Sequence, residues 1–351
     1  MRNFISEDDI EQAILQKLEG DPFQYGILRC DPSPDKRELL PDGTGRSSKK
    51  ECVLPLILRE ALARLNPDIP GEKLEEIARD LCRDFSATDM TATNYKYYNQ
   101  IRNGIKISLR RNGKEDFDFV KLVDFDRPEN NTFTAVSQMW IQGRVYWRRP
   151  DVLIFINGLP MVFVELKNSI VKVEEAYNDN LKNYLRDIPN LFALNQICVL
   201  SNGLETRLGA FNATYNHFFE WLKVDSEKER PDRQALKEAG TVGESSVRYF
   251  IDGLLQKGRL IDYIENFIMF RNQKNKIIAK NHQYFGVNNL MESVKNRAEL
   301  QGKLGVFWHT QGSGKSFSMV FFVRKVRRKI SGNFTFLIIT DREDLDAQIH
   351  K

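Results

Sequence analysis

The sequence predicts an α/β protein in two parts joined by a charged linker. Three observations carry this. Short β-type apolar runs crowd the stretch from about residue 101 to 201, with a helical pattern inside it. A strand, a Gly-rich turn, a helix and a second strand follow one another at the end of the chain. The length, 351 residues, suits two or three domains.

The elements read in order as follows. Ile10, Ile14, Leu15 and Leu18 recur at helical spacing, Ser6 with Asp9 resembles a capping box, and Gly20 ends a helix near 7–19. Residues 31–50 are rich in Pro, Gly and Ser and read as an exposed loop. Helices are expected at about 52–65 and 71–83. Strands are expected at Ile105–Leu109, Phe117–Phe125, Thr132–Ile141, Val152–Ile156 and Met161–Leu166, with Asn-Gly hairpin signals at Asn103-Gly104, Asn112-Gly113 and Asn157-Gly158. A helix at about 172–187 and a strand at Gln196–Ser201 follow. Residues 224–246 are charged and weakly apolar, as a linker would be. Helical patterns return at about 247–270 and 283–299. The closing unit is strand Leu304–Trp308, turn Gly312–Ser316, helix Phe317–Ile330 and strand Phe334–Thr340.

Composition narrows the function classes. With 41% hydrophobic and 11% aromatic residues, the chain can bury a core and is not disordered. No stretch approaches the ~20 apolar residues of a membrane span, and the N-terminus has no apolar signal region. Cys30, Cys52, Cys82 and Cys198 form no CxxC pair, so reduced thiols in a cytoplasmic protein are expected. A net charge of +4 does not argue for nucleic acid, so any basic face must be local.

The segment from Arg148-Arg149-Pro150-Asp151 through the Asn157-Gly158 turn to Glu165-Leu166-Lys167 carries chemistry. Glu165 and Lys167 are two apart on a strand and share a face. Asp151 joins that face only in one register. A two-residue loop pairs 156 with 159 and inverts it; a three-residue loop, Ile156–Gly158 with Gly158 left-handed, pairs 151 with 163 and aligns it. The three-residue loop is therefore expected. Two neighbouring carboxylates repel unless a cation lies between them. Hard oxygen ligands suit Mg²⁺, and a lysine beside it can steady the charge of a phosphoryl displacement. Gln142–Arg149 mixes Arg with Tyr and Trp, so Arg148 and Arg149 are candidate phosphate contacts and Trp147 a stacking platform, or else one face of an ordinary strand.

This block resembles the PD-(D/E)xK nucleases and, more narrowly, the restriction subunit (HsdR) of type I restriction–modification enzymes. The resemblance implies a mixed sheet flanked by helices, Mg²⁺ held by Asp151 and Glu165, and Lys167 serving the attacking water. It implies a DNA contact by Asn180 and Tyr184, which stand where the family often has Gln-x-x-x-Tyr. It also implies a further carboxylate from the first helix, Glu11 before Glu7, if that face is not simply solvated.

Near the C-terminus, Gly312-Ser313-Gly314-Lys315-Ser316 lies between a predicted strand and helix. Amides of such a turn point at phosphates, Lys315 would reach the β/γ-phosphates of ATP, and Ser316 would ligate Mg²⁺. His309 stands where the general pattern has its first Gly. His309–Lys315 resembles motif I of the type I restriction motor, Ile338–Gln348 resembles motif Ia, and Gln283 resembles the glutamine that reads adenine. The basic run Arg324-Lys325-Val326-Arg327-Arg328-Lys329 reads as a solvated face ahead of a DNA contact.

The expected organisation is a PD-(D/E)xK endonuclease domain over 1–223, a linker and helical connector over 224–275, and the start of a RecA-like ATPase domain over 276–351. Only residues 316–351 follow Lys315, so that last domain is expected to be incomplete, to expose apolar edges, and not to turn over ATP alone. The resemblance implies an ATP-dependent type I deoxyribonuclease subunit acting on double-stranded DNA. Its implied partners are the methyltransferase and specificity subunits, with no membrane partner. The rivals are another nuclease–helicase fusion of DNA repair, and a non-catalytic module that binds DNA or partner subunits.

Overall fold

The computed structural model describes residues 4–83, 89–111 and 114–339. Helix α1 (Glu7–Glu19) is capped by the Ser6–Asp9 box and buries Ile10, Ile14, Leu15 and Leu18, as the spacing predicts. Strand β1 (Gly26–Arg29) precedes an irregular stretch that is less exposed than its composition suggests. Within it Asp42 accepts from Arg46 at 2.6 Å and Lys49 at 2.7 Å, and both cations are buried. Helices α2 (Pro55–Leu65) and α3 (Gly71–Cys82) follow.

Helix α4 (Met90–Asn103) was not legible in the periodicity, because its buried positions are Asn94, Tyr98 and Ile101. Gly104, at φ +85°, ends this helix instead of turning a hairpin. The Asn112-Gly113 pair lies outside the described residues. Strands β2 (Ile105–Arg111) and β3 (Lys114–Val120) form a separate ribbon. The expected Thr132–Ile141 strand is broken into β4 (Phe133–Ser137) and β5 (Ile141–Gln142), and the latter pairs with β6 (Trp147–Arg148).

Strands β7 (Val152–Ile156) and β8 (Leu159–Leu166) form the central hairpin. Helix α5 (Val173–Glu175) runs through a π-helical stretch, Ala176–Leu181, into α6 (Lys182–Asp187). Next come α7 (Asn190–Leu194), β9 (Ile197–Ser201), β10 (Thr206–Gly209) and β11 (Phe219–Glu220). Among the described residues the main sheet has seven strands in the order β1-β4-β7-β8-β9-β10-β11. It is mixed: β1 with β4 and β8 with β9 are parallel, and the other neighbours are antiparallel.

Alternation splits the sheet between two cores. Val152, Ile154 and Ile156 face α1 and the later helices, whereas Leu153 and Phe155 face Leu191 and Phe192 of α7. On β8, Met161 and Val162 both belong to the first core, because a β-bulge puts an extra residue there.

The charged stretch after residue 223 holds only the short helix α8 (Arg233–Lys237) and a 3₁₀ turn. Helices α9 (Ser246–Leu254) and α10 (Lys257–Asn266) break the expected 247–270 helical pattern in two, and a hairpin, β12 (Ile268–Arg271) with β13 (Asn275–Ile278), takes over its last three residues and the stretch before the next helix. This connector is fastened to the first part of the chain. Tyr25 donates to the Leu255 carbonyl at 2.7 Å, and buried Lys276 donates to Asn94 Oδ1, Gln196 Oε1 and the Asn195 carbonyl at 2.8–3.0 Å.

Helices α11 (Asn281–Lys295) and α12 (Lys315–Lys329) flank the Gly-rich turn. Residues 304–308 and 334–339 do not form strands among the described residues. Val306 is 92% exposed and Leu337 84%, matching the expected apolar edges. Leu304, Phe334 and Phe336 pack against Met291, Val294 and Val326, but a strand also needs ladder partners for its amides, and among the described residues these stretches have none. The resemblance to motif Ia falls almost wholly outside the described residues.

Candidate active site

The hairpin decides which side chains meet. Asn157 and Gly158 both have positive φ, and Ile156 pairs with Leu159, so the loop has two residues. The expected three-residue loop is therefore corrected. The bulge restores the alignment the two-residue loop would have lost. After it, Ile154 pairs with Val162 and Val152 with Val164. Asp151 thus comes opposite Glu165, on its face. Asp151 Oδ2 accepts the Leu166 backbone amide at 2.7 Å, which locks the strand ends together.

Glu165 is 2% exposed, at the end of a strand whose every residue is buried. Its Oε1 accepts from Asn180 Nδ2, and Lys167 Nζ lies 3.8 Å from the same oxygen. Its Oε2 is buried and meets no hydrogen bond of full geometry among the described residues; the Tyr184 hydroxyl lies beside the carboxylate but is directed to the Arg149 carbonyl. Burial, and then the Asp151 charge, push the Glu165 carboxyl well above the usual range. Burial pushes Asp151 up to about 6, against the opposing Leu166 amide and Lys167. Lys167 is anchored by the Leu166 carbonyl at 3.1 Å and also reaches Glu7 at 3.9 Å.

Glu11 approaches from α1. Its carboxylate accepts from Gln138 Nε2, and burial raises its pKa. Among the described residues, no three His, Cys, Asp or Glu side chains converge enough to enclose a metal ion. Glu11 reaches the pair through Gln138 and does not join it directly. The donor set still fits a hard cation: two facing carboxylates and a buried oxygen short of a full hydrogen bond are what Mg²⁺ would satisfy, its remaining ligands being water and phosphate.

The second cluster is the Gly-rich turn. Gly312 and Gly314 have φ of +78° and +87°, a left-handed backbone that favours glycine. Lys315 begins α12, and its ammonium donates back to the carbonyls of His309 at 2.8 Å and Thr310 at 3.2 Å. Ser313 Oγ is buried without a hydrogen-bond partner among the described residues, and Ser316 is half-buried in the first turn of α12. Such a turn fits a phosphate, which would draw Lys315 off those carbonyls. Gln283 is buried on α11, with its Nε2 donating to the Gly314 carbonyl at 2.9 Å and its Oε1 accepting from the Lys280 amide at 2.8 Å. A cleft of about 880 Å³ borders the turn, lined by Lys280, His282, Trp308 and His309 among others.

The sequence matches the family "Type I restriction enzyme R protein N terminus" over residues 4–217. The chain belongs to this family. Similar proteins include the type I restriction enzyme HindI endonuclease subunit of Haemophilus influenzae, 33% identical over 98% of this chain. Another is a putative type I restriction enzyme MjaIXP endonuclease subunit of Methanocaldococcus jannaschii, 30% identical over 97% of this chain. The alignments take in 32% and 33% of those proteins, so this chain spans about a third of the length of these relatives. Residues 282–351 match the SWI2/SNF2 ATPase family, the stretch that holds the Gly-rich turn.

Within this R-subunit chain, Asp151, Glu165, Lys167 and Asn180 stand together. Asn180 lies in the π-helical stretch, a local irregularity often found at functional sites, and its amide is spent on Glu165. Tyr184 is buried and donates to the Arg149 carbonyl at 2.9 Å. Arg148 pairs with buried Asp187, and Arg149 donates to the Pro32 carbonyl at 2.9 Å while lying over the Trp140 ring.

The basic run on α12 is corrected in part: Arg327 is exposed, as a solvated face would be, but its neighbours are engaged within the protein. Lys325 is buried against Asp262 of α10 at 2.5 Å, and Lys329 reaches Glu265 at 2.8 Å beside Arg328. Arg324 donates to the Ile268 carbonyl at 3.0 Å. Sequence reasoning also passed over Gln138, between Glu11 and Asp151. No signal marked it, since it falls inside the expected Thr132–Ile141 strand, which ends at Ser137 instead.

None of the four cysteines is joined in a disulfide. No helix among the described residues is long and apolar enough to cross a membrane.

Proposed function

We propose that this chain is the endonuclease end of a type I restriction R subunit, with a PD-(D/E)xK-type site that cleaves double-stranded DNA. One observation carries the reading: Asp151 and Glu165 face each other across a bulged hairpin, with a buried Glu165 oxygen short of a full hydrogen bond and the Lys167 ammonium beside it. Burying two carboxylates together is unfavourable for folding alone, so a ligand that compensates them is the natural explanation.

Bound Mg²⁺ would neutralise charge on the scissile phosphate and make the attacking water more acidic. Asp151 and Glu165 would hold it. Lys167, already tethered at the strand end, would orient the water and offset the negative charge that grows on the phosphate oxygens. Asn180 keeps the Glu165 carboxylate turned toward Asp151, and Tyr184 holds the strand leading into Asp151 through Arg149. Glu11 is a supporting carboxylate.

Residues Gly312–Ser316 are assigned to ATP phosphates, with Gln283 shaping the turn at Gly314. In the assembled enzyme, with methyltransferase and specificity subunits, ATP-driven translocation would be coupled to cleavage. The test is plasmid cleavage by the enzyme assembled on the full R subunit carrying Asp151→Ala or Lys167→Ala. Both are expected to lose at least ~100-fold in Mg²⁺-dependent cleavage, with DNA binding unchanged. Cleavage by Asp151→Ala at the wild-type rate would instead mark the acidic pair as structural and the module as non-catalytic.

A further inference from the structure

Gln138 ends β4 in an unusual way. Its φ is +58°, a left-handed conformation that a residue other than Gly adopts at a cost of about 1–2 kcal/mol. The backbone is held there by its own amide, which donates to the Asp151 carbonyl at 3.0 Å. This turn brings the Gln138 side chain in front of Asp151. Its Nε2 lies 3.5 Å from Asp151 Oδ1 and donates to Glu11 Oε2. One amide NH₂ thus bridges two carboxylates from different elements, the place where a cation would otherwise offset their charge. The other end of the amide, Oε1, is buried and has no hydrogen-bond partner among the described residues.

An amide can serve both states of such a site. Its NH₂ satisfies carboxylates when no cation is present, and its oxygen is a hard ligand of the kind Mg²⁺, Mn²⁺ and Ca²⁺ accept. The exchange needs only rotation about the last side-chain bond, which is a soft torsion. We propose that Gln138 is a positioning residue of the cation site: its NH₂ bridges Glu11 and Asp151 in the empty site, and its amide turns over on cation binding to present Oε1. Glu11 enters the site through this residue. The inference rests on the reading of Asp151 and Glu165 as cation ligands and adds the device that links Glu11 to them.

The test is Mn²⁺ binding to the full chain, measured by titration calorimetry and not by activity. Gln138→Leu, which keeps the bulk and loses the amide, is expected to weaken Mn²⁺ binding ~10–100-fold, the range for removing a group that orients metal ligands. Gln138→Glu retains the oxygen and is expected to bind within about threefold of wild type or tighter. Thermal unfolding of each variant, with and without Mn²⁺, confirms that both are folded. Asp151→Ala serves as the reference. If Asp151→Ala loses Mn²⁺ while Gln138→Leu binds it as wild type does, the role given to Gln138 is wrong. The same holds if Gln138→Glu binds no better than Gln138→Leu. If Asp151→Ala itself binds normally, the cation site is wrong and this inference falls with it.

Discussion

Replacing Asp151 by Asn should make the cation-free protein more stable near neutral pH. In the fold, burial raises the Asp151 carboxyl from 3.8 to about 6. Below pH 3.8 both folded and unfolded chains carry the proton and the group is neutral to stability. As pH rises past 3.8 the unfolded chain ionises first, so stability falls until the folded carboxyl also ionises at about 6, and it stays low above that. The gap of about two pH units corresponds to about 3 kcal/mol lost by pH 7.5. The Leu166 amide can still donate to an Asn oxygen, so the substitution removes the charge without removing the 2.7 Å contact. Removing it also lowers the carboxyl of Glu165, which the Asp151 charge helps to raise. Urea unfolding followed by tryptophan fluorescence, in EDTA at pH 4 and pH 7.5, reads the effect. Asp151→Asn should gain up to about 3 kcal/mol over wild type at pH 7.5 and little at pH 4. Mg²⁺ should then stabilise wild type and leave the variant where it was. Equal stability of the two proteins at pH 7.5 in EDTA would refute the argument, because the buried charge would then cost nothing.

Two further predictions concern the frame around the site. Gly158 has φ +80°, and a Cβ there would lie 2.6 Å from the Leu54 carbonyl oxygen, so Gly158→Ala should cost at least about 2 kcal/mol in the same urea assay. Glu265 is 1% exposed and receives Arg328 and Lys329 of α12. Glu265→Gln should therefore cost about 3 kcal/mol and speed amide exchange along Lys315–Lys329; unchanged exchange would show that the clamp does not hold the helix.

Much of the site was legible because its signals are local. Glu165 and Lys167 share a face through the two-residue period of a strand, and the hairpin turn announces itself as Asn-Gly. The capping box of α1 and the start of α12 after Gly314 depend on neighbours within a few residues. Register was not legible. Asp151 was placed on the correct face through the wrong loop, since the bulge at Met161 leaves no mark in composition. Helix α4 was hidden because its inward face carries Asn94, which buries its amide only where the Phe192 and Asn195 carbonyls and Lys276 meet it.

The chain's own order of residues therefore settles which groups are present: a carboxylate, a hairpin, a second carboxylate with a lysine, and later a Gly-rich turn ahead of a helix. Assembly settles where each group is used. Lys325 and Arg328 have the composition of a solvated or DNA-facing helix end, yet Asp262 and Glu265 claim them. Gln138 looks like any residue within a strand until the turn at its backbone sets it between Glu11 and Asp151. The physical reason is one of range. Periodicity and capping act over a few residues, whereas the partner of a buried charge or amide is brought from far along the chain, 63 residues for Lys325 with Asp262 and 127 for Gln138 with Glu11, and only the packed structure says which one arrives.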